Sequence, residues 1–245
     1  MRSSRAAALL ALLLAVLCAR PADAAIAFSQ GVSNHISTCA TTNNATPTIT
    51  QPAAGSLIIL WIFTSTTGSI TRPAAFTAKK ATTNSFLLDE SYLIATGSGE
   101  TSWTYADSLA TGFCDSLMVV VTGENQATPY DVNNTNSTTL TGSSGPFTTN
   151  AVAPSISGDL PIVALNTGTS GMTISTKSPT TLTNQANANG GFFLLYDNVY
   201  NSTSAYTGSM TMTGTNSFAH QIETLDMIAP AVAKGGILRQ GVGML

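Results

Sequence analysis

Charged residues are scarce in this chain. Nine Lys and Arg and twelve Asp and Glu make up 9% of its 245 residues. There is no basic stripe that could bind phosphates, so a nucleic-acid partner is not expected. The polar surface must instead consist of hydroxyl and amide groups, since the chain holds 38 threonines. Threonine favours β-strands, and an apolar content of 43% is enough to fill a hydrophobic core.

Enzyme motifs are also lacking. The chain has no Gly-x-Ser-x-Gly elbow, no His-Glu-x-x-His sequence, no Walker loop and no Cys-x-x-Cys pair. His35 and His220 are its only histidines, and a triad of either one with a serine and Asp115 or Asp226 has no motif behind it. We therefore predict a protein that is not an enzyme.

Acidic residues are few, and the densest group combines Asp89 and Glu90 with Glu100. Paired carboxylates could hydrolyse glycosides, but adjacent strand residues point to opposite faces, so Asp89 and Glu90 cannot both face one cleft. A calcium site of loop oxygens from Glu100, Asp107 or Asp131 is the milder alternative, and no EF-hand-like spacing supports it. We predict no cofactor and no metal.

Long apolar runs are missing except near the N-terminus. The run over residues 6–17 is too short to cross a bilayer, which takes roughly 20 apolar residues. Arg2 and Arg5 precede it, and Ala22-Asp23-Ala24 follows as a signal-peptidase site. The sequence thus predicts a signal peptide over residues 1–24 and an exported chain without a membrane span. Its mature part keeps six basic and eleven acidic side chains, a formal charge of −5.

Cysteine is rare as well. Cys18 lies in the predicted signal peptide, so the mature chain keeps Cys39 and Cys114. In an oxidising compartment such a pair favours a disulfide bond, with two buried thiols as the alternative.

Asparagine, in contrast, is frequent, and four Asn-x-Ser/Thr sequons predict glycans on exposed loops. They begin at Asn44, Asn133, Asn136 and Asn201. Asn44 is the poorest acceptor because Pro47 follows its sequon directly.

Helical periodicity is missing, whereas short apolar segments recur between turn signals. The sequence therefore predicts an all-β protein, a jelly-roll-like antiparallel β-sandwich of about ten strands, in a single domain over residues 25–228. The predicted strands are Ile26–Gln30, Leu57–Thr64, Ser85–Ala95, Ser102–Ala106, Leu117–Thr122, Leu160–Leu165, Phe192–Tyr200, Ala205–Met212 and Phe218–Met227, with weaker ones near Ile70, Thr77, Leu140 and Thr173. Two segments are alike, Gly55-Ser-Leu-Ile-Ile-Leu and Gly158-Asp-Leu-Pro-Ile-Val, but their similarity is too short to establish a repeat.

Four segments in order resemble the secreted jelly-roll domains of phage tail proteins and bacterial surface proteins. They are Pro52–Trp61, Thr71–Thr77, Ser91–Glu100 and Val119–Asp131. They are similar in turn to a glycine-led strand, a Pro-Ala-Gly-Trp-Thr-like turn, a Tyr-bearing strand ending in Gly-x-x-Glu, and a Gly-x-x-x-x-x-Pro-x-Asp loop. The resemblance covers residues 26–228 and departs from the pattern at Ala75-Phe76 and in the two cysteines. It implies a jelly-roll fold and a binding or structural module.

Aromatic residues are few, and two of them form a candidate ligand site. Trp103 and Tyr105 lie two positions apart on a predicted strand, so their rings share one face. An exposed pair would stack against sugar rings, whereas a buried pair would belong to the core. We favour the core, because aromatic side chains supply much of any sandwich core.

Leu57–Phe63 is apolar at every position, although a strand with one solvated face should alternate. Either loops of the same chain or neighbouring subunits must cover its outer face. The tail, residues 229–245, is too apolar for an ordinary disordered end. It would add a strand to another subunit or fold back on its own domain. The residues that would be buried there are Ile237, Leu238, Val242, Met244 and Leu245.

These features together lead us to expect a secreted, glycosylated structural or adhesive protein at a cell surface or in an extracellular filament or oligomer. Its expected partners are copies of itself or another extracellular protein, and glycans are possible ligands. The alternative is a carbohydrate-binding, lectin-like module, and a hydrolase whose site the sequence does not reveal is a third.

Overall fold

Short apolar segments between turns fold into β-strands throughout the computed structural model, as the sequence predicts. The structure describes residues 25–65, 68–83, 87–131, 137–140, 146–167, 172–187, 192–213 and 221–231. These residues contain sixteen strands, no α-helix, and therefore no helix long and apolar enough to cross a membrane. The predicted signal peptide and the tail from residue 232 lie outside the described residues.

The strands are numbered in chain order. They are β1 (Ala27–Ile36), β2 (Asn44–Ala45), β3 (Leu57–Thr64), β4 (Ile70–Thr71), β5 (Thr77–Thr83), β6 (Leu87–Ile94), β7 (Thr104–Asp107), β8 (Cys114–Thr122), β9 (Ser137–Leu140), β10 (Phe147–Thr148), β11 (Leu160–Asn166), β12 (Thr173–Ser178), β13 (Thr183–Asn187), β14 (Phe192–Tyr196), β15 (Ser209–Thr213) and β16 (Gln221–Ile228).

All strand pairs are antiparallel, and they form four sheets. Two sheets have five strands, in the orders β1-β8-β3-β6-β5 and β13-β14-β11-β16-β9. The other two have three strands, in the orders β2-β7-β4 and β10-β15-β12. The structure thus has more strands than the ten or so expected, because several short or polar segments also pair with neighbouring strands.

The strand orders divide the chain into two halves with the same topology. If eight is added to each strand number, β1-β8-β3-β6-β5 becomes β9-β16-β11-β14-β13, which is the order of the second five-stranded sheet. In the same way β2-β7-β4 becomes β10-β15-β12, the order of the second three-stranded sheet. Gly55 and Gly158, at φ 85° and 104°, stand just before β3 and β11 in turns that favour glycine. The two similar segments of the sequence are therefore equivalent strands of the two halves.

The five-stranded sheets face each other across a shared apolar core. Alternate residues of β3, among them Ile59, Trp61 and Phe63, pack in one cluster with Ile162 and Leu194 of the second half. Burial of these side chains on both sheets supplies the main stabilisation between the halves.

Each three-stranded sheet, with its flanking loops, covers the outer face of its own half. Ile58, Leu60 and Ile62 of β3 pack against Tyr105 and Phe76 in the first half. A second outer cluster contains Val163 and Leu165 of β11 with Met210 and Met212 of β15. The unbroken apolar run of β3 is therefore explained within the chain, because both of its faces are covered.

Several boundaries differ from the predictions, and the pairing partner explains the largest difference. β1 was expected to end at Gln30, but it continues to Ile36 through polar residues because it pairs with β8 along its whole length. Segment 183–187 was not predicted as a strand and is added to the edge of β14. Backbone hydrogen bonds of a neighbouring strand thus override weak local preference.

Candidate functional site

A lysine and two carboxyl groups lie buried between the two five-stranded sheets. Nζ of Lys79 donates a hydrogen bond of 2.7 Å to Oε1 of Glu90, and it also contacts Oδ1 of Asp226. The side chain of Lys79 is 13% exposed, and those of Glu90 and Asp226 are each 1% exposed. The first two residues belong to the first half and Asp226 belongs to the second, so this cluster joins the halves.

The strands place these side chains through register. Glu90 lies opposite Trp61, and Asp226 lies opposite Ile162, so both carboxyl groups face the shared core. On β5 the register shifts between Ala78 and Lys80, which leaves Lys79 as the extra residue of a β-bulge. A bulge redirects a side chain locally, and here it accompanies the contact of Lys79 with both carboxyl groups.

The electrostatics of the cluster follow from its burial. Burial and the negative charge of Asp226 raise the pKa of Glu90 to about 8, although Lys79 opposes the shift. Burial alone would lower the pKa of Lys79, but the charges of Asp226 and Glu90 outweigh it and raise that pKa. One lysine is thus shared by two carboxyl groups, and burial favours the protonated form of Glu90.

The aromatic ring of Tyr130 covers the amine of the same cluster. Nζ of Lys79 lies 3.7 Å from the ring centroid of Tyr130, a cation–π distance. Among the described residues, Nε1 of Trp61 and Oε2 of Glu90 have no hydrogen-bond partner. Oη of Tyr130 has no hydrogen-bond partner there either, so several polar atoms of the cluster are buried without a hydrogen bond.

The predicted separation of Asp89 from Glu90 is confirmed. Nε of Arg72 donates to Oδ1 of Asp89 over 3.1 Å, and the guanidinium also contacts Oδ2. Asp89 lies opposite Ile62, a residue of the outer core, whereas Glu90 faces the shared core. Asp89 therefore lies on the outer-core side of the sheet, and Glu90 lies on the side of the shared core.

A second polar link between the halves involves His35. Its Nδ1 donates to Oδ1 of Asp115 over 2.7 Å, and Nδ2 of Asn166 donates to Oδ2 of the same carboxylate over 2.8 Å. Burial raises the pKa of Asp115, although both hydrogen bonds oppose the shift. Within the described residues no hydrogen bond joins His35 to a serine or threonine.

The acidic residues considered for calcium accept hydrogen bonds from backbone N–H groups. Glu100 accepts hydrogen bonds from the N–H groups of Thr96 (2.8 Å) and Gly97 (2.9 Å). Asp107 accepts one from Leu109 N–H and Asp131 one from Ser155 N–H.

One group of potential metal ligands lies close together in the described part of the chain. Its members are Cys39, Cys114 and Asp107, whose ligand atoms lie within 4.8 Å of one another. The two sulfur atoms are bonded to each other, so they offer no thiolate to a metal.

The predicted disulfide bond is confirmed. Cys39 and Cys114 are bridged with a Cα–Cα distance of 5.5 Å, which is normal for this bond. Cys39 follows β1, and Cys114 begins β8, so the bond links neighbouring parts of the first half.

The two candidate sugar-stacking residues, Trp103 and Tyr105, differ in how exposed they are. Tyr105 is 2% exposed and belongs to the outer core of the first half, so it cannot offer a ring face to solvent. Trp103 precedes β7, and its partly buried ring packs against the same outer-core cluster that contains Tyr105. Trp103 is half-buried, packs edge-on against Phe76 at 5.1 Å, and lines a depression of about 530 Å³.

The sequons also differ in their settings. Asn201 is exposed on the segment between β14 and β15. Asn44 is 3% exposed, contrary to the expected exposed loop, because its side chain bonds to both N–H and C=O of Ala40. Asn133 and Asn136 lie outside the described residues, as do the five apolar residues of the tail.

Sequence reasoning did not identify Lys79 or Asn166 as site residues. The sequence analysis considered Asp115 and Asp226 only as the acid of a catalytic triad that no motif supports. A usable signal existed in the strands that carry them, because a charged residue within an apolar strand is expected to be buried with a partner. The identity of that partner depends on strand order and has no local signature.

Comparison of the chain with protein-family models, curated proteins and solved structures gave no match.

Proposed function

We propose that this chain is an exported structural or adhesive protein built from two jelly-roll-type units. In the first half, the strand orders β1-β8-β3-β6 and β2-β7-β4 resemble the two sheets of a jelly roll, and β5 is added beside β6. The second half has the equivalent orders, with β13 added beside β14. The resemblance of the sequence to jelly-roll domains of surface proteins supports the same proposal.

The observation that carries this proposal is the way the halves are joined. A continuous apolar core, the buried Lys79–Glu90–Asp226 cluster and the Asp115–Asn166 hydrogen bond all lie between them. Such a joint makes a rigid unit suited to bearing load or presenting a surface. A disulfide bond and sparse charge suit an extracellular setting.

The test is the state of the secreted protein. We would express the full chain in a secretory host and determine its mass by light scattering and its shape by electron microscopy. Filaments or a defined oligomer that binds no glycan would support a structural role. Deletion of residues 232–245 then tests the tail, because loss of assembly with an unchanged thermal transition would place the contact there. A protein that stays monomeric and does not adhere to cell surfaces would contradict the proposal.

A second candidate function is carbohydrate binding, favoured by the depression beside Trp103. Its other lining residues include the hydroxyl-bearing Thr46, Thr48, Ser102 and Thr104, a chemistry that suits sugars. A glycan array on the folded protein tests it. Binding that falls at least tenfold in Trp103→Ala and is retained in Trp103→Phe, with unchanged unfolding, would support this function, whereas equal binding by all three proteins would exclude this depression as the site.

A further inference from the structure

The Lys79 cluster unites features that allow a covalent reaction between side chains. A primary amine touches one carboxyl group, a second carboxyl group lies 2.7 Å from the same nitrogen, and all three are nearly removed from water. The strands on both sides hold them in place, and the ring of Tyr130 covers the amine.

We propose that Lys79 and Asp226 are joined by an amide bond between Nζ of the lysine and Cγ of the aspartate, formed within the folded protein with Glu90 transferring protons. This intramolecular cross-link goes beyond the proposed function. It does not depend on export or adhesion, since it follows from the folded core alone.

The reaction balances with water as its only by-product. Lys79 first gives a proton to the carboxylate of Asp226, which leaves a neutral amine and a carboxylic acid. The nitrogen lone pair attacks Cγ, the new C–N bond forms, and one C–O bond breaks. Glu90 takes a proton from the attacking nitrogen and gives one to the departing hydroxyl group, so Glu90 ends as it began. One positive and one negative charge become a neutral amide and water.

The surroundings act differently on the successive steps. Burial disfavours the ionised pair and so promotes transfer of the proton from Lys79 to Asp226, whereas the charges of Asp226 and Glu90 raise the pKa of Lys79 and oppose that transfer, which makes it the slow step of the reaction. The raised pKa of Glu90 favours the protonated carboxyl group, the form that can act as an acid. Fixing amine and carboxyl group in contact replaces a bimolecular encounter, an effect equivalent to about 10⁵–10⁸ M in well-oriented cases. Exclusion of water also opposes hydrolysis of the product.

The bond would connect strands that are distant in the chain. Lys79 and Asp226 are 147 positions apart, on β5 of the first half and β16 of the second. The two halves would then be linked through a side-chain amide as well as through the backbone. Unlike the Cys39–Cys114 bond, this link would resist reducing agents.

Intact-mass spectrometry of the secreted full-chain protein tests the proposal. After reduction and enzymatic removal of glycans, and with the N-terminus defined by peptide mapping, we expect a mass about 18 Da below the sequence mass, the loss of one water, once each Asn converted to Asp by deglycosylation is counted as Asp. Fragmentation should then show a branched peptide that links Lys79 to the segment containing Asp226. A mass equal to the sequence mass in the folded protein would overturn the proposal, and so would a water loss located at other residues.

Variants separate the roles of the three residues. Lys79→Met and Asp226→Ala should show no loss, while Lys80→Met, on the neighbouring half-buried lysine, should keep it. Glu90→Gln should lower the linked fraction at a fixed time at least tenfold, because general acid–base groups contribute about 10²–10⁴ in rate. Asp226→Asn should form the same bond with loss of ammonia, about 17 Da. Wild-type mass decides the question even if a variant fails to fold, and complete linkage in Glu90→Gln would remove Glu90 from the mechanism.

Discussion

Asn166 donates a hydrogen bond of 2.8 Å to Asp115, and the two residues belong to different halves of the chain. The carboxylate is fully buried and also accepts a hydrogen bond from His35, so both of its oxygens are satisfied. Removal of either donor leaves a buried acceptor without its partner, which is the costly situation for a polar group in a core.

We predict that Asn166→Ala lowers the free energy of unfolding by about 1–3 kcal/mol, because the second oxygen of Asp115 loses its donor. Urea denaturation followed by fluorescence measures the change. Asn198→Ala is the control, since Asn198 is exposed, and it should change stability by no more than about 0.5 kcal/mol. Equal effects of the two substitutions would show that the buried hydrogen bond contributes nothing.

The disulfide bond should stabilise the first half. The double variant Cys39→Ala/Cys114→Ala opens a loop with a sequence separation of 75 residues. The chain-entropy model then predicts a loss of about 4 kcal/mol of unfolding free energy. Denaturation with and without reductant provides the check. Reductant should lower the midpoint of the wild type toward that of the variant and leave the variant unchanged.

Stability should fall as the pH rises from 5 to 7.5. Burial raises the pKa of Glu124 to about 7, and burial with the charge of Asp131 raises the pKa of Asp159 to about 7. The folded protein therefore keeps protons that the unfolded chain has lost between about pH 4 and 7, so this contribution to stability disappears as the pH approaches 7.

Thermal unfolding at several pH values measures the effect. Glu124→Gln should flatten the dependence between pH 5 and 7.5, because the amide does not titrate. A steeper dependence in this variant, or a wild type more stable at pH 7.5 than at pH 5, would contradict the assignment.

Glycosylation is expected at Asn201 when the protein passes through a eukaryotic secretory pathway. Its side chain is exposed, whereas that of Asn44 is buried and bonded to Ala40. Peptide mapping after enzymatic deglycosylation should find conversion of Asn201 to aspartate and none at Asn44. In Asn201→Gln the corresponding glycan mass should vanish. A glycan on Asn44 of the folded, secreted protein would be inconsistent with this structure.

The local pattern was most informative in the central strands. The strand Leu57–Thr64 was predicted with the bounds that the structure shows, because a short continuous apolar run between turns is typical of a buried strand. The end of β1 and all of β13 were missed, because their polar residues carry no apolar period and pair with strands that are remote in sequence. The site was missed for the same reason. Nothing near Lys79 in the chain indicates Asp226.

By itself, the sequence determined the all-β class, the central strands and the opposite faces of Asp89 and Glu90, and it favoured a disulfide bond between Cys39 and Cys114. Each of these follows from composition or from the two-residue period of a strand, which are local properties. Only the tertiary structure decided that the chain forms two halves of one topology, that small sheets cover the outer faces of β3 and β11, and that Lys79, Glu90 and Asp226 meet. These outcomes depend on strand order, in which residues far apart in sequence share one core, and no local period specifies that order.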